Sequence, residues 1–370
     1  MKKYATAKGT AWRIQYRSPD GKSRTKQGFK TKTAVQQWAD KNATAITEGK
    51  WINPQHWKTT VAELADIWWA GRQHLKASTL DRDAYTRARV VEKWGTWQIG
   101  AIRPSHIQAW VSGMGKSGGT VRTTHNFLSQ ILDVAVADGL ILSNPAHGVK
   151  LPKKNAPVKI FLTPQQLATL ATTAGEKNKE RKTIVWILGT VGLRWGELAG
   201  LKVGDIDFDR ARITVQRSVT YVKKEWVESA PKTHERREVS MTLPVSRMLH
   251  EQCRGKTPDA WVFTRPNGEP LRLVNPGTGW FRAAIKEIQE KDPNFPQITP
   301  HGLRHVAAGL LVSAGANVKV VQKQLGHASA AMTLDTYAAL FDDDLDSVGE
   351  RLGGLLAGVV GLSWDCEEQA

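Results

Sequence analysis

The residue types that could do chemistry concentrate between His301 and Tyr337. That stretch reads His301-Gly-Leu-Arg304-His305, then a helix-like run, then Leu325-Gly326-His327 and Thr333-Leu-Asp-Thr-Tyr337. A guanidinium is a fixed cation that forks onto phosphate oxygens, an imidazole moves protons near neutral pH, and a phenol can attack phosphorus and hold the product covalently. Together these groups point to phosphoryl transfer on a polyanion, with the rest of the chain bringing that polymer to Tyr337.

The charge balance agrees. A formal net charge of +17 implies an anionic polymer as partner. Its distribution is uneven: residues 1–58 hold 13 Lys/Arg against 3 Asp/Glu, and residues 341–370 hold 1 Arg against 8 Asp/Glu. A length of 370 residues suggests two or three domains. No apolar run reaches the roughly 18 residues of a membrane span, and the basic N-terminus lacks the apolar stretch of a secretory signal. Cys253 and Cys366 lie far apart without metal-ligand spacing, which fits a reducing cytosol. No carboxylate cluster, Cys/His ligand set or phosphate-binding glycine loop occurs, so neither a two-metal nuclease nor ATP use is expected, and no metal or cofactor is called for.

These groups need elements to position them. In residues 1–57, Trp12, Ile14 and Tyr16 alternate with polar positions, and Ser18-Pro-Asp-Gly21 is a turn. A second strand carries Arg24, Lys26 and Phe29, and a helix is expected over about 33–48, with Val35, Trp38 and Ile46 inward. One apolar face on a helix leaves a basic face, with Arg13, Arg17, Arg24 and Lys26 as candidate DNA contacts. Lys50 to Lys58 reads as a linker. Residues 58–150 read as four helices. Thr60-Val-Ala-Glu63 is a capping box for the first, whose inward face carries Leu64, Ile67 and Trp68. The second, opened by Ser78-Thr-Leu-Asp81, sets Tyr85, Val90 and Trp94 beside basic residues. Pro104 opens the third and Gly139 ends the fourth. Arg122, Thr123, Thr124 and Asn126 near the start of that fourth helix are placed to meet phosphates or base edges.

Leu151 to Val158 is a second, basic linker. Beyond it Thr163-Pro-Gln-Gln166 starts a helix, and strand signals appear at 206–208, 212–217, 219–227, 236–239 and 261–264. Helices are expected over 244–253, 277–290, 300–314, 317–325 and 329–340. In the tail, the acidic run Asp342 to Asp346 and the apolar Leu345, Val348, Leu352, Leu355 and Leu356 read as an amphipathic helix that docks on a neighbouring protomer.

Five motifs stand in order: Gly192-Leu-Arg194-Trp-Gly-Glu197-Leu, Pro231-Lys232-Thr, His301-Gly-Leu-Arg304-His, Leu325-Gly-His327 and Thr333-Leu-Asp-Thr-Tyr337. Their order and spacing resemble the tyrosine recombinases, and within them the phage integrases. The resemblance implies an α-rich multidomain fold. It comprises a small N-terminal sheet-plus-helix arm-binding domain (1–57), a four-helix core-binding domain (58–150) and a mainly α catalytic domain with a small antiparallel sheet (151–340), followed by the tail (341–370). It implies that Arg194 and Arg304 grip the nonbridging oxygens, that Tyr337 is the nucleophile, and that Lys232 protonates the departing 5′ oxygen. His327 is expected to hydrogen-bond a nonbridging oxygen. A phenol of pKa about 10 needs help to lose its proton, which His301 could accept. Glu197 and His305 are expected to support the set from behind it. Val306 and Val191 depart from the family pattern, where hydroxyl residues are common.

The expected function is site-specific recombination of double-stranded DNA through a 3′-phosphotyrosyl intermediate. It would integrate, and excise, a phage or mobile-element genome. A homotetramer on core and arm attachment sites is expected, with a host DNA-bending protein and an excisionase as partners, in the cytoplasm at the bacterial nucleoid. Two alternatives stay open: a type IB topoisomerase-like relaxase, and a non-catalytic recombinase-derived regulator. The target sequences are not legible.

Overall fold

The structure, a computed structural model, describes residues 1–7, 9–153, 159–230, 236–338, 349–350 and 352–356. Lys232 and the tail's acidic run, with Leu345 and Val348, lie outside them. The chain falls into two compact units, Met1–Ala156 and Pro157–Ala370.

The first unit opens with an antiparallel sheet of β1 (Lys2–Thr6), β2 (Gly9–Arg17) and β3 (Ser23–Phe29), backed by α1 (Lys32–Thr47). Thr31 caps α1 by accepting the Ala34 N–H. Trp38 of α1 packs edge-on to Tyr16 at 5.1 Å and against Phe29 at 5.9 Å, which fixes the apolar face. β1 is an additional strand; its composition, Lys-Lys-Tyr-Ala-Thr, carries no apolar alternation. The register corrects the expected basic face. Arg24 pairs with Tyr16 and Lys26 with Ile14, so both share the helix-side face, while Arg13 and Arg17 point the other way. Arg24 is moreover tied into the fold, donating to Ser18, Asp20 and Asn53.

Four helices follow: α2 (Val61–Ala70), α3 (Ala77–Trp94), α4 (Pro104–Ser112) and α5 (Gly118–Ala137). The Thr60–Glu63 capping box forms as expected. Leu64, Val90, Trp94, Ile107, Leu128, Ile131 and Leu132 fill one core, with Trp97 and Trp110 stacked edge-on against Trp94. Ile67, expected inward, is exposed instead. Thr124 is also corrected. It is wholly buried, its hydroxyl donates to the Thr120 carbonyl, and Arg89 donates to it, so it cannot meet DNA. Arg122 donates to the Pro152 carbonyl at 2.8 Å, tying α5 to the chain that leaves the unit.

The second unit begins with α6 (Pro164–Glu176) and α7 (Lys179–Trp186). A π-helical turn (Ile187–Val191) leads into the short α8 (Trp195–Ala199). Strands β4 (Ile206–Asp207) and β5 (Arg212–Val215) join β8 (Arg237–Ser240) in one antiparallel sheet, and β6 (Ser218–Val222) pairs with β7 (Glu225–Ser229) as a separate hairpin. The expected single strand over 219–227 is therefore two. The turn between them is Lys223-Lys224, both at positive φ, a conformation that Gly or Asn would have announced. Residues 261–264 form only isolated bridges, Lys202 to Trp261 and Thr264 to Pro270. Helices α9 (Leu243–Cys253), α10 (Trp280–Lys291), α11 (Gly302–Ser313), α12 (Val318–Leu325) and α13 (Ala330–Tyr337) complete the unit. Its core joins Leu167, Leu170, Ile187, Leu188, Phe263 and Leu303. A second cluster of Ala308, Val312, Val321 and Leu325 encloses Tyr337. In the tail Leu352, Leu355 and Leu356 are exposed.

Candidate active site

The π-helical turn ends at Gly192, which turns the chain toward Arg194 at the start of α8. Gly192 has φ +76, and a Cβ there would lie 2.6 Å from Leu325 Cδ2, so only glycine fits. This close approach brings α8 against the end of α12 across more than a hundred residues of sequence.

Both guanidiniums are anchored where those elements meet. Arg304, on α11 and 4% exposed, donates Nη1 to the Gly192 carbonyl and Nη2 to the Leu325 carbonyl. Arg194 donates Nη2 to the next carbonyl, that of Gly326, at 3.0 Å, and Nη1 to Glu197 Oε1 at 2.8 Å. Adjacent peptide carbonyls thus hold the two cations side by side, and each guanidinium has more N–H donors than these contacts use. Burial first, and then the Arg194 charge, push Arg304 down to about 9, so it stays protonated at neutral pH.

Buried Glu197 is the counter-charge. Burial raises its pKa, but the Arg237 hydrogen bonds and charge, with Arg194, outweigh that and leave it below the usual carboxylate value. Arg237 grips it with both ends, Nη1 to Oε1 at 3.0 Å and Nη2 to Oε2 at 2.7 Å. Arg237 was not singled out from sequence. Its signal is register: on β8 it faces Val215 and shares the inward side with Val239. Gly326, at φ +64, makes room for it, since a Cβ there would lie 2.6 Å from Arg237 Nε. Ionised Glu197 contributes stability that is fully present above its unfolded value near 4.5 and is lost as pH falls through the lower folded value. Glu197→Gln is accordingly expected to cost about 3–5 kcal/mol at neutral pH. It should also flatten the acid side of a thermal-unfolding series, and a variant with the wild-type acid profile would contradict this.

His327 follows Gly326. Its Nδ1 lies 2.9 Å from Thr333 Oγ1, and burial, then the Arg304 and Arg194 charges, push it down to about 4, a neutral ring at pH 7. Its ring stacks over that of Tyr337, with centroids 6.1 Å apart and planes at 11°. Tyr337 is 2% exposed, and burial pushes its hydroxyl up to about 12 against the opposing Arg304 charge. Its Oη meets His305 Nδ1 at 2.8 Å. His301, named from sequence as the proton acceptor, sits exposed at the start of α11, its ring 5.7 Å from that of His305. Lys159, missed from sequence, donates to the Thr336 carbonyl, and its Nζ lies 5.8 Å from the Tyr337 ring centre. Beside these groups opens a cleft of about 660 Å³ whose walls include Arg210, Arg212, Arg236, Lys319 and Lys323. The two lysines, four apart on α12, occupy the face opposite Val321 and Leu325. Among the described residues no group of His, Cys, Asp and Glu could hold a metal ion, and no helix is long and apolar enough to cross a membrane.

The phage integrase family model matches residues 160–343, the stretch that carries all of these groups but Lys159. The chain belongs to that family, the tyrosine recombinases. This recombinase is 28% identical over 308 residues to the integrase of Mycobacterium phage FRAT1, covering 80% of this chain and 89% of that protein. It also resembles the Tn1549 transposon integrase solved with a circular intermediate DNA. That match has a TM-score of 0.70 at 25% identity and covers 79% of this chain and 99% of that one. A lambda integrase tetramer bound to a Holliday junction matches at a TM-score of 0.55 over 87% of this chain and 91% of that one. At 18% identity it speaks for the fold alone. As a member of the family, this protein is a tyrosine site-specific recombinase.

Proposed function

We propose that this recombinase cleaves one DNA strand at a time with Tyr337, holds the 3′ end as a phosphotyrosyl ester, and rejoins it to a partner strand. The observation that carries this is the placement of a buried phenol beside two adjacent guanidiniums and a neutral imidazole. Such a site has excess positive charge that a phosphodiester would balance. Arg194 and Arg304 fork the nonbridging oxygens, whose charge grows in the pentavalent transition state. In the tautomer in which Thr333 donates to Nδ1, His327 carries its proton on Nε2 and presents it to one of the same oxygens. Glu197 and Arg237 keep Arg194 in position. Lys232 protonates the departing 5′ oxygen. The ester conserves the bond energy, so no cofactor is required.

The basic cleft beside the site takes the duplex backbone, and Arg13, Arg17 and Arg122 add phosphate contacts elsewhere. The substrates are core and arm attachment sites of a phage or mobile element in a bacterial cytoplasm. The working assembly is a homotetramer, helped by a DNA-bending protein and an excisionase, and its tail docks on a neighbour.

Footprinting defines the crossover sequence, and a labelled duplex carrying it is then mixed with a plasmid bearing the same site. Joined product dependent on both sites is expected. Relaxation of any plasmid regardless of sequence, without joining, would instead indicate a relaxase.

A further inference from the structure

We propose that His305 is a catalytic residue, the group that takes the phenolic proton of Tyr337 during attack on phosphorus and returns it when the strand is rejoined. This deepens the strand-cleavage reading and rests on it. It moves the acceptor role from His301, where the sequence placed it, one helical turn along α11.

The geometry is direct. Tyr337 Oη lies 2.8 Å from His305 Nδ1, a hydrogen-bond distance, and in the Nε2–H tautomer of the ring the phenol is the donor. The rings meet at 62° with centroids 5.7 Å apart, as expected when a hydroxyl points at the rim of an imidazole. His305 immediately follows Arg304, so α11 sets an anion grip next to a proton acceptor. The site needs both at the two ends of the bond being formed, one on phosphorus and one on the attacking oxygen.

The surroundings keep that nitrogen available. His301 and Arg304 on α11, Lys159, Tyr337 on α13 and His327 after α12 are the titratable or charged groups around the ring. Burial first, then the charges of His301, Lys159 and Arg304, hold His305 below the ordinary imidazole range. The shift favours the neutral ring, and in the proposed step it is the Nε2–H tautomer, which turns the Nδ1 lone pair to Tyr337.

In the forward step the Oη–H bond breaks as the Oη–P bond forms, and the proton passes to Nδ1. The P–O5′ bond breaks and the 5′ oxygen takes its proton from a separate acid, the role expected of Lys232. The phenol's acidity rises as its oxygen bonds to phosphorus, so transfer to a weak base becomes favourable only along that coordinate. On rejoining, the 5′ hydroxyl attacks phosphorus and gives its proton back to that separate acid, the P–Oη bond breaks, and His305 returns its proton to the leaving phenolate.

The test is single-turnover cleavage of a nicked suicide duplex by the full chain across pH. His305→Asn keeps an acceptor oxygen within reach of the Tyr337 hydroxyl but cannot take a proton. It is expected to cleave about 10²–10⁴-fold more slowly than wild type. Its rate should keep climbing with pH where the wild-type rate levels off. In His305→Ala, added imidazole should restore cleavage in proportion to its concentration, which only a folded protein can show. A substrate with sulfur in place of the bridging 5′ oxygen, whose departure needs no proton, should leave the His305→Asn defect in place. Cleavage by His305→Asn within about threefold of wild type, a wild-type pH profile at reduced level, or rescue by the sulfur substrate would each overturn the assignment. Wild type that forms no adduct would overturn the strand-cleavage reading and this one with it. Normal wild-type cleavage alongside an active His305→Asn overturns only the role of His305.

Discussion

Tyr337→Phe is expected to form no covalent adduct with DNA while keeping its DNA affinity. The ring of Tyr337 packs among Ala308, Val312, Val321 and Leu325, and phenylalanine fills that space equally. What the change removes is one hydrogen bond to His305 and the only nucleophilic atom in the cluster. The hydrogen bond is worth about 1 kcal/mol to the fold, so the melting temperature should move by only a few degrees. The loss of nucleophile has no such bound, because in the proposed reaction Tyr337 supplies the attacking oxygen. A gel-shift titration beside a suicide-substrate assay separates the two effects. Weakened binding in proportion to lost cleavage would point to a structural defect instead.

Arg304→Lys is expected to lower the cleavage rate by about 10²–10³, the usual cost of one preorganised donor at a site of developing charge. The charge is conserved, so a purely electrostatic role would leave most of the activity. The geometry argues otherwise. Arg304 reaches the Gly192 and Leu325 carbonyls with two different nitrogens. A single ammonium cannot hold both and also face an anion. The carbonyl left without a partner would cost about 1–3 kcal/mol, so some thermal destabilisation should accompany the kinetic loss. Normalising single-turnover rates to folded protein keeps the two apart. A rate within threefold of wild type would contradict the bidentate role.

The motif residues were legible from their order and spacing, and Arg194, Arg304, His327 and Tyr337 do meet where α8, α11, α12 and α13 come together. Helices α4, α5, α6 and α11 were legible from caps, prolines and 3.6-residue periodicity. What the sequence hid was set by pairing rather than by local pattern. The two faces of the N-terminal sheet depend on register, so Arg24 and Lys26 could not be separated from Arg13 and Arg17 by composition. The Lys223-Lys224 turn uses positive φ at residues that give no turn signal. Arg237 reads as one more basic residue until β8 is paired with β5. His305 reads from sequence as a packed residue behind the set, because only the placement of α13 puts Tyr337 against its Nδ1. Thr124 looked like a helix-start donor until burial on α5 enclosed it.

The central claim is that Tyr337 becomes joined to the 3′ phosphate of cut DNA. The direct measurement is to trap wild-type protein on a nicked suicide duplex carrying the crossover site, digest the adduct with protease and nuclease, and sequence the modified peptide by mass spectrometry. The account predicts one modified peptide, containing Tyr337, with the nucleotide attached through its 3′ phosphate. An adduct on any other residue, a 5′ linkage, or no adduct from active protein would contradict it.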